Sequence, residues 1–480
     1  MEKIANYIDG ALKPPAEGNY LENFEPATGR VYSKIPQSGK DDLELAVASA
    51  KRAFPGWSST PAEERARWLN KLADLIDANA AKLAEAETRD NGKPITLARS
   101  VDIPRASANF RFYAGAATQF FSESHAMEQG AINYTLRQPV GIAGCISPWN
   151  LPLYLFTWKI APALAAGNCV IGKPSEITPM TAYLFSELCV EAGLPAGVLN
   201  ILHGTGPAIG VPIVEHPDVK AISFTGGTRT GADIAGRTAG AFKKLSLELG
   251  GKNPNVIFAD CDWDAMLENT LQAGFRNQGQ ICLCGSRVYV EEAIYEKFVA
   301  EITARAEQLK IGDPQDDATQ QGAIVSQQHY EKVLGCIDVA KQEGGKIHCG
   351  GKAIKLSGRC ADGWFIAPTV ITGLEPGCRT NQEEIFGPVI TVAPFKDESE
   401  AVSLANSTGY GLAASIWSSD ISRCHRLAAA IDSGIIWINT WMLRDLRTPM
   451  GGMKNSGVGR EGGFEAMRFF TEAKNVCIKY

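Results

Sequence analysis

The sequence predicts an α/β protein built from two parallel-sheet domains with crossover helices, with two further strands left over that need a partner. Three observations predict it. Short β-branched runs alternate with helical stretches between Asn168 and Phe258. A second series of the same kind runs from about Ala273 to Asn439, and two segments outside both series read as edge strands. A chain of 480 residues with 45% hydrophobic content can fill more than one core, so two or three domains fit its length.

Taken in order, the first fifty or so residues are rich in turn formers (Pro14-Pro15, Gly18-Asn19, Pro26-Ala27-Thr28-Gly29) and predict an extended, strand-bearing arm. From Pro61 to Thr88, apolar residues recur at helical spacing with charges opposite, which predicts a surface helix with one buried face. The first α/β series reads CVIGK, a helix to Ala192, VLNIL, a helix, VKAISFTG, a helix and NPNVIF. In the second, strands are expected near Arg287–Val290, Ile385–Pro394 and Ile435–Asn439. The segments from Ala131 to Gln138 and AKNVCIKY at the C-terminus alternate like edge strands.

Composition excludes several classes. A net charge of −6, with both signs mixed along the chain, gives no basic face for a phosphate backbone, so no nucleic-acid partner is expected. No stretch approaches the roughly 20 apolar residues of a membrane span. MEKIANYIDG has no apolar signal-peptide core, and both absences point to the cytoplasm. The 12 cysteines are scattered, which favours reduced and mostly buried thiols. Cys282-Leu283-Cys284 matches no zinc spacing, and no metal site is expected.

Five motifs could carry chemistry, each with a plainer reading beside it. Phe224-Thr225-Gly226-Gly227-Thr228-Arg229-Thr230-Gly231 ends a strand and opens a helix, where glycines and the helix N-terminus suit a dinucleotide phosphate; it could equally be a simple strand-to-helix turn. Lys173-Pro174-Ser175-Glu176 follows the strand CVIGK and could grip ribose hydroxyls, or be a solvated pair. Glu248, at the edge of a core beside Gly250 and Gly251, has the surroundings that tune a general base, against an ordinary loop carboxylate. Cys282, in the glycine-bounded GQICLCGSR, could be a nucleophile or an inert buried thiol. Asn150, in the rigid turn Pro148-Trp149-Asn150-Leu151-Pro152, could donate to an oxyanion or cap a turn.

Together and in this order, SPWN, KPSE, FTGGTRTG, ELGGKNP, GQICLCGSR, EEIFGPV and PMGGMKNSGVGRE resemble the aldehyde dehydrogenase superfamily over essentially the whole chain. The resemblance implies two doubly wound parallel-sheet domains, a Rossmann-like NAD-binding domain (1–121 and 139–250) and a catalytic domain (251–465). It adds a bridging, oligomerisation element (122–138 and 466–480) that makes homodimers or homotetramers. It also implies that Cys282 attacks the aldehyde, that Asn150 and the Cys282 backbone N–H hold the oxyanion, and that Glu248 activates water to hydrolyse the thioester. NAD would lie against Ser147, Trp149, Lys173, Ser175, Glu176, Thr225, Gly226, Gly227, Leu249, Glu384 and Phe386, with Glu176 disfavouring a 2′-phosphate.

By the same resemblance, the substrate funnel carries Val101, Arg105, Leu151, Tyr154, Trp158 and Arg444. Two arginines in a largely apolar funnel imply a substrate that carries a carboxylate, since an unmatched buried guanidinium is costly. The plainer reading pairs Arg105 with Asp102 and Arg444 with Asp445, and Arg111 or Arg447 could stand in for either. The runs NTWMLRDLRTP and ARSVDIPRASANFR resemble the branch that oxidises 2-aminomuconic or 2-hydroxymuconic 6-semialdehyde, which serves ring-cleavage catabolism of tryptophan-derived or other aromatic compounds. Aromatic Tyr154 and Trp158 would suit the conjugated middle of such substrates. Met450 departs from the phenylalanine usual in that motif. Succinic semialdehyde or another aldehyde, thioester transfer to coenzyme A, and a non-catalytic NAD-binding protein are the competing readings; Glu248 argues against transfer, and the intact Cys282, Glu248 and Asn150 against loss of catalysis.

Overall fold

The computed structural model describes residues 1–480. Its largest sheet has eight strands in the order Gly457–Val458, Lys244–Glu248, Val219–Thr225, Ile142–Ile146, Cys169–Lys173, Leu199–Ile201, Asn6–Ile8 and Ala11–Lys13. The middle five are parallel, and numbered along the chain they run 5-4-1-2-3. The winding therefore reverses between Ile142–Ile146 and Val219–Thr225, the place where an open α/β sheet opens a crevice for ligands. Ser147-Pro148-Trp149-Asn150 leaves one of these strands and Gly226-Gly227 the other.

A seven-stranded sheet follows, in the order Lys346–Cys349, Thr369–Thr372, Val389–Phe395, Arg287–Glu291, Pro254–Ile257, Ala413–Trp417 and Ile435–Ile438. All its pairings are parallel except that of Lys346–Cys349. The NPNVIF run thus belongs to the second sheet, not to the end of the first series. The strand expected from Ile385 begins at Val389, because the residues before it turn toward the crevice. Thr369–Thr372 and Ala413–Trp417 were not anticipated. Both are short and buried on both faces, so they show no alternation to read.

The arm holds the expected strands, but helix Lys40–Ser59 begins inside it, with Leu43, Ala46, Val47 and Ala50 on its buried face. The helix expected from Pro61 to Thr88 is two, Ala62–Ala78 and Ala80–Asn91, broken at Asn79, whose side chain donates to the Leu75 carbonyl at 2.9 Å. Gly92 ends the second at φ +85°, a left-handed cap that turns the chain inward to Lys93. Ala131–Pro139 pairs antiparallel along its length with Thr471–Lys479, and Ser124–Met127 completes a three-stranded sheet, so the two edge strands partner each other. No helix is long and apolar enough to cross a membrane.

The main core of 77 buried residues wraps the first sheet, while separate smaller cores lie on the faces of the second. Helix Pro152–Ala165 is buried at all 14 positions, which explains why its sequence is apolar all round rather than striped.

Candidate active site

The crossing from the first sheet to the second builds the site. The chain leaves the first sheet at Glu248 and enters the second at Pro254. Between them Gly250 and Gly251 let other groups press in, since a Cβ on Gly251 would lie 2.7 Å from the Cys282 carbonyl oxygen, and one on Gly250 2.6 Å from Glu384 Oε2. Asn253 then pins the cysteine loop, its amide donating to the carbonyls of Cys282 (2.7 Å) and Cys284 (2.8 Å).

Cys282 Sγ lies 3.4 Å from Glu248 Oε1, and Thr225 Oγ1 donates to the other carboxylate oxygen at 3.0 Å. Burial raises the Glu248 carboxyl above its ordinary pKa, and the charge of Glu461 adds to the rise. Burial also raises the Cys282 thiol, with Glu248 as the second cause, whereas Arg444 opposes the rise. The hydrogen bond from Cys282 opposes the rise at Glu248. Glu461 in turn accepts from Lys159 (2.7 Å), Trp158 Nε1 (2.6 Å) and Ser223 (3.1 Å), a buried network that sequence reading missed because its members lie some 240 to 300 residues from Glu461.

Asn150 is 3% exposed, and its side-chain amide donates to the Gln280 carbonyl at 2.9 Å. Its own backbone carbonyl accepts from Lys93 at 3.1 Å and Asn277 at 3.0 Å. The backbone N–H of Cys282 meets no acceptor in the protein. Asn277 and Gln278 take φ of +53° and +55° just ahead of Cys282, a left-handed pair that side-chain bonds stabilise, notably Gln278 Nε2 to the Ala323 carbonyl at 2.9 Å.

Cys282 and Asn150 share a cavity of about 260 Å³ with Trp149, Thr225, Gly226, Gly227, Leu249, Glu384 and Phe386. A second cavity of about 670 Å³ carries on from it past Ser147, Lys173, Ser175 and Glu176. All eleven positions expected to meet a cofactor thus line one continuous trough. Lys173 and Glu176 pair at 2.9 Å, Gly227 opens on free space, and Ser147 Oγ is buried without a partner. The trough therefore has an orphaned donor, an open glycine and a ribose-sized polar pair, a set that suits a dinucleotide. His329 and Lys332 also line it, from a helix that gave no sequence signal. His329 touches the Phe386 carbonyl at 2.7 Å, and Phe386 sits at φ +61° with its ring edge-on to Trp149.

The substrate-side residues gather on a different surface. Tyr154 and Trp158 are 4% and 2% exposed and line neither cavity. They serve as rings on which the arginines rest: Arg105 stands 5.2 Å from Tyr154 and 5.6 Å from Trp158, and Arg444 5.9 Å from Trp158. Leu151, 7% exposed, caps the start of the same helix. Neither arginine has a carboxylate partner. Asp102 is taken by Lys93 (2.8 Å) and Asp445 by Arg447 (2.5 Å), while Arg111 holds Asp74 and Asp77 at the surface. Arg105 bonds only the neutral Asn109 (3.2 Å) and keeps a buried Nη2 without a partner. Arg444 meets only Met450 Sδ, at 2.7 Å, which is where the unusual methionine packs.

The family model described as the aldehyde dehydrogenase family matches residues 14–476. A 2-aminomuconic semialdehyde dehydrogenase from Danio rerio is 48% identical, over 99% of this chain and 98% of that protein. A 2-hydroxymuconic semialdehyde dehydrogenase from Pseudomonas sp. (strain CF600) is 46% identical over the whole of both chains. Among solved structures, an aldehyde dehydrogenase from Bacillus cereus in complex with NAD+ superposes with a TM-score of 0.97 at 38% identity, covering 100% of this chain and 97% of that one. The chain belongs to the aldehyde dehydrogenase family and is an oxidoreductase that acts on aldehydes.

Proposed function

We propose that this enzyme uses NAD to oxidise a conjugated semialdehyde bearing a carboxylate, of the 2-aminomuconic or 2-hydroxymuconic 6-semialdehyde type, to the dicarboxylic acid. One observation carries the substrate reading: Arg105 and Arg444 flank the same Trp158 ring, and neither meets a protein carboxylate. Two half-buried like charges held side by side are unfavourable until an anion joins them, and a substrate carboxylate would be that anion. The names of the relatives point to the same class.

In this reading Cys282 gives up its thiol proton to solvent, and the thiolate attacks the aldehyde carbon. The amide of Asn150 and the free N–H of Cys282 receive the oxygen as it becomes negative, a contact worth roughly 3 kcal/mol when preorganised. NAD, when bound, supplies the acceptor for the hydride that leaves that carbon. The acyl group then stays on Cys282 as a thioester; the ionised Glu248 draws a proton from the water that hydrolyses it and passes that proton to the departing Cys282 sulfur, which frees the acid and restores both the thiol and the carboxylate. Lys173, Ser175 and Glu176 would hold the adenine ribose, Gly226 and Gly227 the pyrophosphate, and Glu384 and Phe386 the nicotinamide end; the carboxylate of Glu176 disfavours a 2′-phosphate.

The eight-stranded, seven-stranded and bridging sheets support the division into an NAD-binding domain (1–121 and 139–250), a catalytic domain (251–465) and a bridging element (122–138 and 466–480), with Gly457–Val458 crossing back onto the first of them. Ile132, Leu136 and Ile478 are exposed on the bridging sheet, which would carry the homodimer or homotetramer contact.

The test is the rate of NADH formation with 2-hydroxymuconic 6-semialdehyde, succinic semialdehyde and an uncharged aldehyde of similar length, for the parent and Arg444→Ala. The reading expects a strong preference for the muconic substrate that Arg444→Ala removes. Equal use of the uncharged aldehyde, unchanged by the substitution, would leave only the general reaction.

A further inference from the structure

Lys93 is a buried cation with no part in the proposed reaction, and it is among the most completely buried side chains in the protein. It is 0% exposed. Its Nζ lies 2.8 Å from Asp102 Oδ1, 3.5 Å from Glu87 Oε1 and 3.1 Å from the backbone carbonyl of Asn150. Both carboxylates are likewise 0% exposed. The ammonium thus donates to Asp102 and to one backbone oxygen, with Glu87 at ion-pair distance and making no hydrogen bond, and that backbone oxygen belongs to Asn150, whose amide is the proposed oxyanion donor.

Stability alone gives this cluster little reason to exist. Taking a lysine and two carboxylates out of water costs several kcal/mol per ion, and buried ion clusters can often be replaced by apolar side chains with no loss. What such a cluster does provide is a fixed geometry. Two of its members are set by local features of the fold: Lys93 by the left-handed cap at Gly92, and Asp102 by the five-residue π-helical turn Ala98–Asp102. Turns of that kind are rare and are frequent at functional sites. The Asn150 turn has no secondary-structure bonds of its own to hold it. Asn91 donates to the Trp149 carbonyl at 2.9 Å, and Asn277 and Lys93 converge on the next carbonyl along.

We infer that Lys93, held by Asp102 and Glu87, is a positioning residue that aims the Asn150 amide at the developing oxyanion. Lys93 does not touch the substrate; it acts through the Asn150 backbone. The inference rests on the oxyanion role proposed for Asn150. Burial pushes the Glu87 carboxyl up, the charge of Lys93 opposes the rise and that of Asp102 adds to it, so the three groups are bound to one another electrostatically as well as in space.

The experiment is a double-substitution cycle on the full-length enzyme, read as kcat and as the KM for NAD with 2-hydroxymuconic 6-semialdehyde. Asn150→Ala comes first; if it keeps the parental kcat, the oxyanion reading fails and this inference with it, before Lys93 is touched. If Asn150→Ala is impaired, Lys93→Met in the parent is expected to lower kcat by about 10- to 100-fold, a part of what losing an oxyanion donor costs. The KM for NAD is expected to stay near that of the parent. In the Asn150→Ala background the same change is expected to cost less than about twofold, because the group it aims is gone. Losses that multiply in both backgrounds, or no loss in the parent, overturn the inference. Asp102→Asn, which keeps the shape of the cluster, repeats the cycle with a smaller loss and carries the test should Lys93→Met fail to fold.

Discussion

Arg105→Met separates substrate recognition from the integrity of the fold. In the free enzyme Arg105 rests on Tyr154 and Trp158 at 5.2 and 5.6 Å, contacts worth about 1 kcal/mol together or somewhat more. Against this stand a buried Nη2 without a partner, which costs about 1–3 kcal/mol, and repulsion from the Arg444 guanidinium. These terms are of similar size and opposite sign, and methionine fills the same linear volume, so the variant should melt close to the parent. With a carboxylate bound, the balance changes. Removing one cation from a buried, charge-assisted pair costs about 2–5 kcal/mol. Because Arg444 keeps a share of the anion, the lower half of that range applies, roughly 30- to 300-fold in kcat/KM.

The assay compares kcat/KM for 2-hydroxymuconic 6-semialdehyde with that for an uncharged aldehyde of equal length. The muconic substrate is expected to lose its factor of roughly 30 or more, while the uncharged one holds steady or gains slightly as the guanidinium repulsion is relieved. An equal loss on both substrates, with an unchanged melt, would refute the reasoning and make Arg105 a support for the funnel wall.

Two further predictions concern protons. Glu248 raises the Cys282 thiol, so Glu248→Gln should move the midpoint of Cys282 alkylation by iodoacetamide to lower pH; an unchanged or higher midpoint would contradict the pairing. Glu461 adds to the rise of Glu248, which must be ionised to act as a base, so activity is lost as the pH falls through the raised pKa of Glu248. Glu461→Gln removes that like charge and leaves Lys159 to favour the carboxylate; the acid limb of the kcat profile should therefore move to lower pH, and movement to higher pH would exclude the network from the chemistry.

Much of this was legible in the sequence because short-range patterns carry it. The run CVIGK became a buried strand, the FTGG turn lies at the mouth of the crevice, and the alternating AINYTLRQ became a paired strand. Cys282, Glu248 and the cofactor positions were found through motifs in order, and the folded chain brings Cys282 and the cofactor positions to one trough, with Glu248 3.4 Å from the Cys282 sulfur. What was not legible depends on distance along the chain. Lys93 meets Asn150 from 57 residues away, and Glu461 meets Lys159 from 302. Nothing in NGKP or GREGG marks either residue as other than a turn charge. The plainer pairing of each funnel arginine with its neighbouring aspartate had the opposite fault, for nearness in sequence suggested Asp102 and Asp445, and both face other cations in the fold.

The central claim is that the substrate passes through a thioester on Cys282 that Glu248 helps to hydrolyse. Its most direct test is the intact mass of Glu248→Gln, mixed with NAD and 2-hydroxymuconic 6-semialdehyde and quenched in acid. The account predicts that the protein accumulates an adduct with the mass of the acyl group, that the adduct maps to the peptide bearing Cys282, and that it is absent in Cys282→Ser. Steady release of the acid with no adduct, or an adduct on another residue, would contradict it.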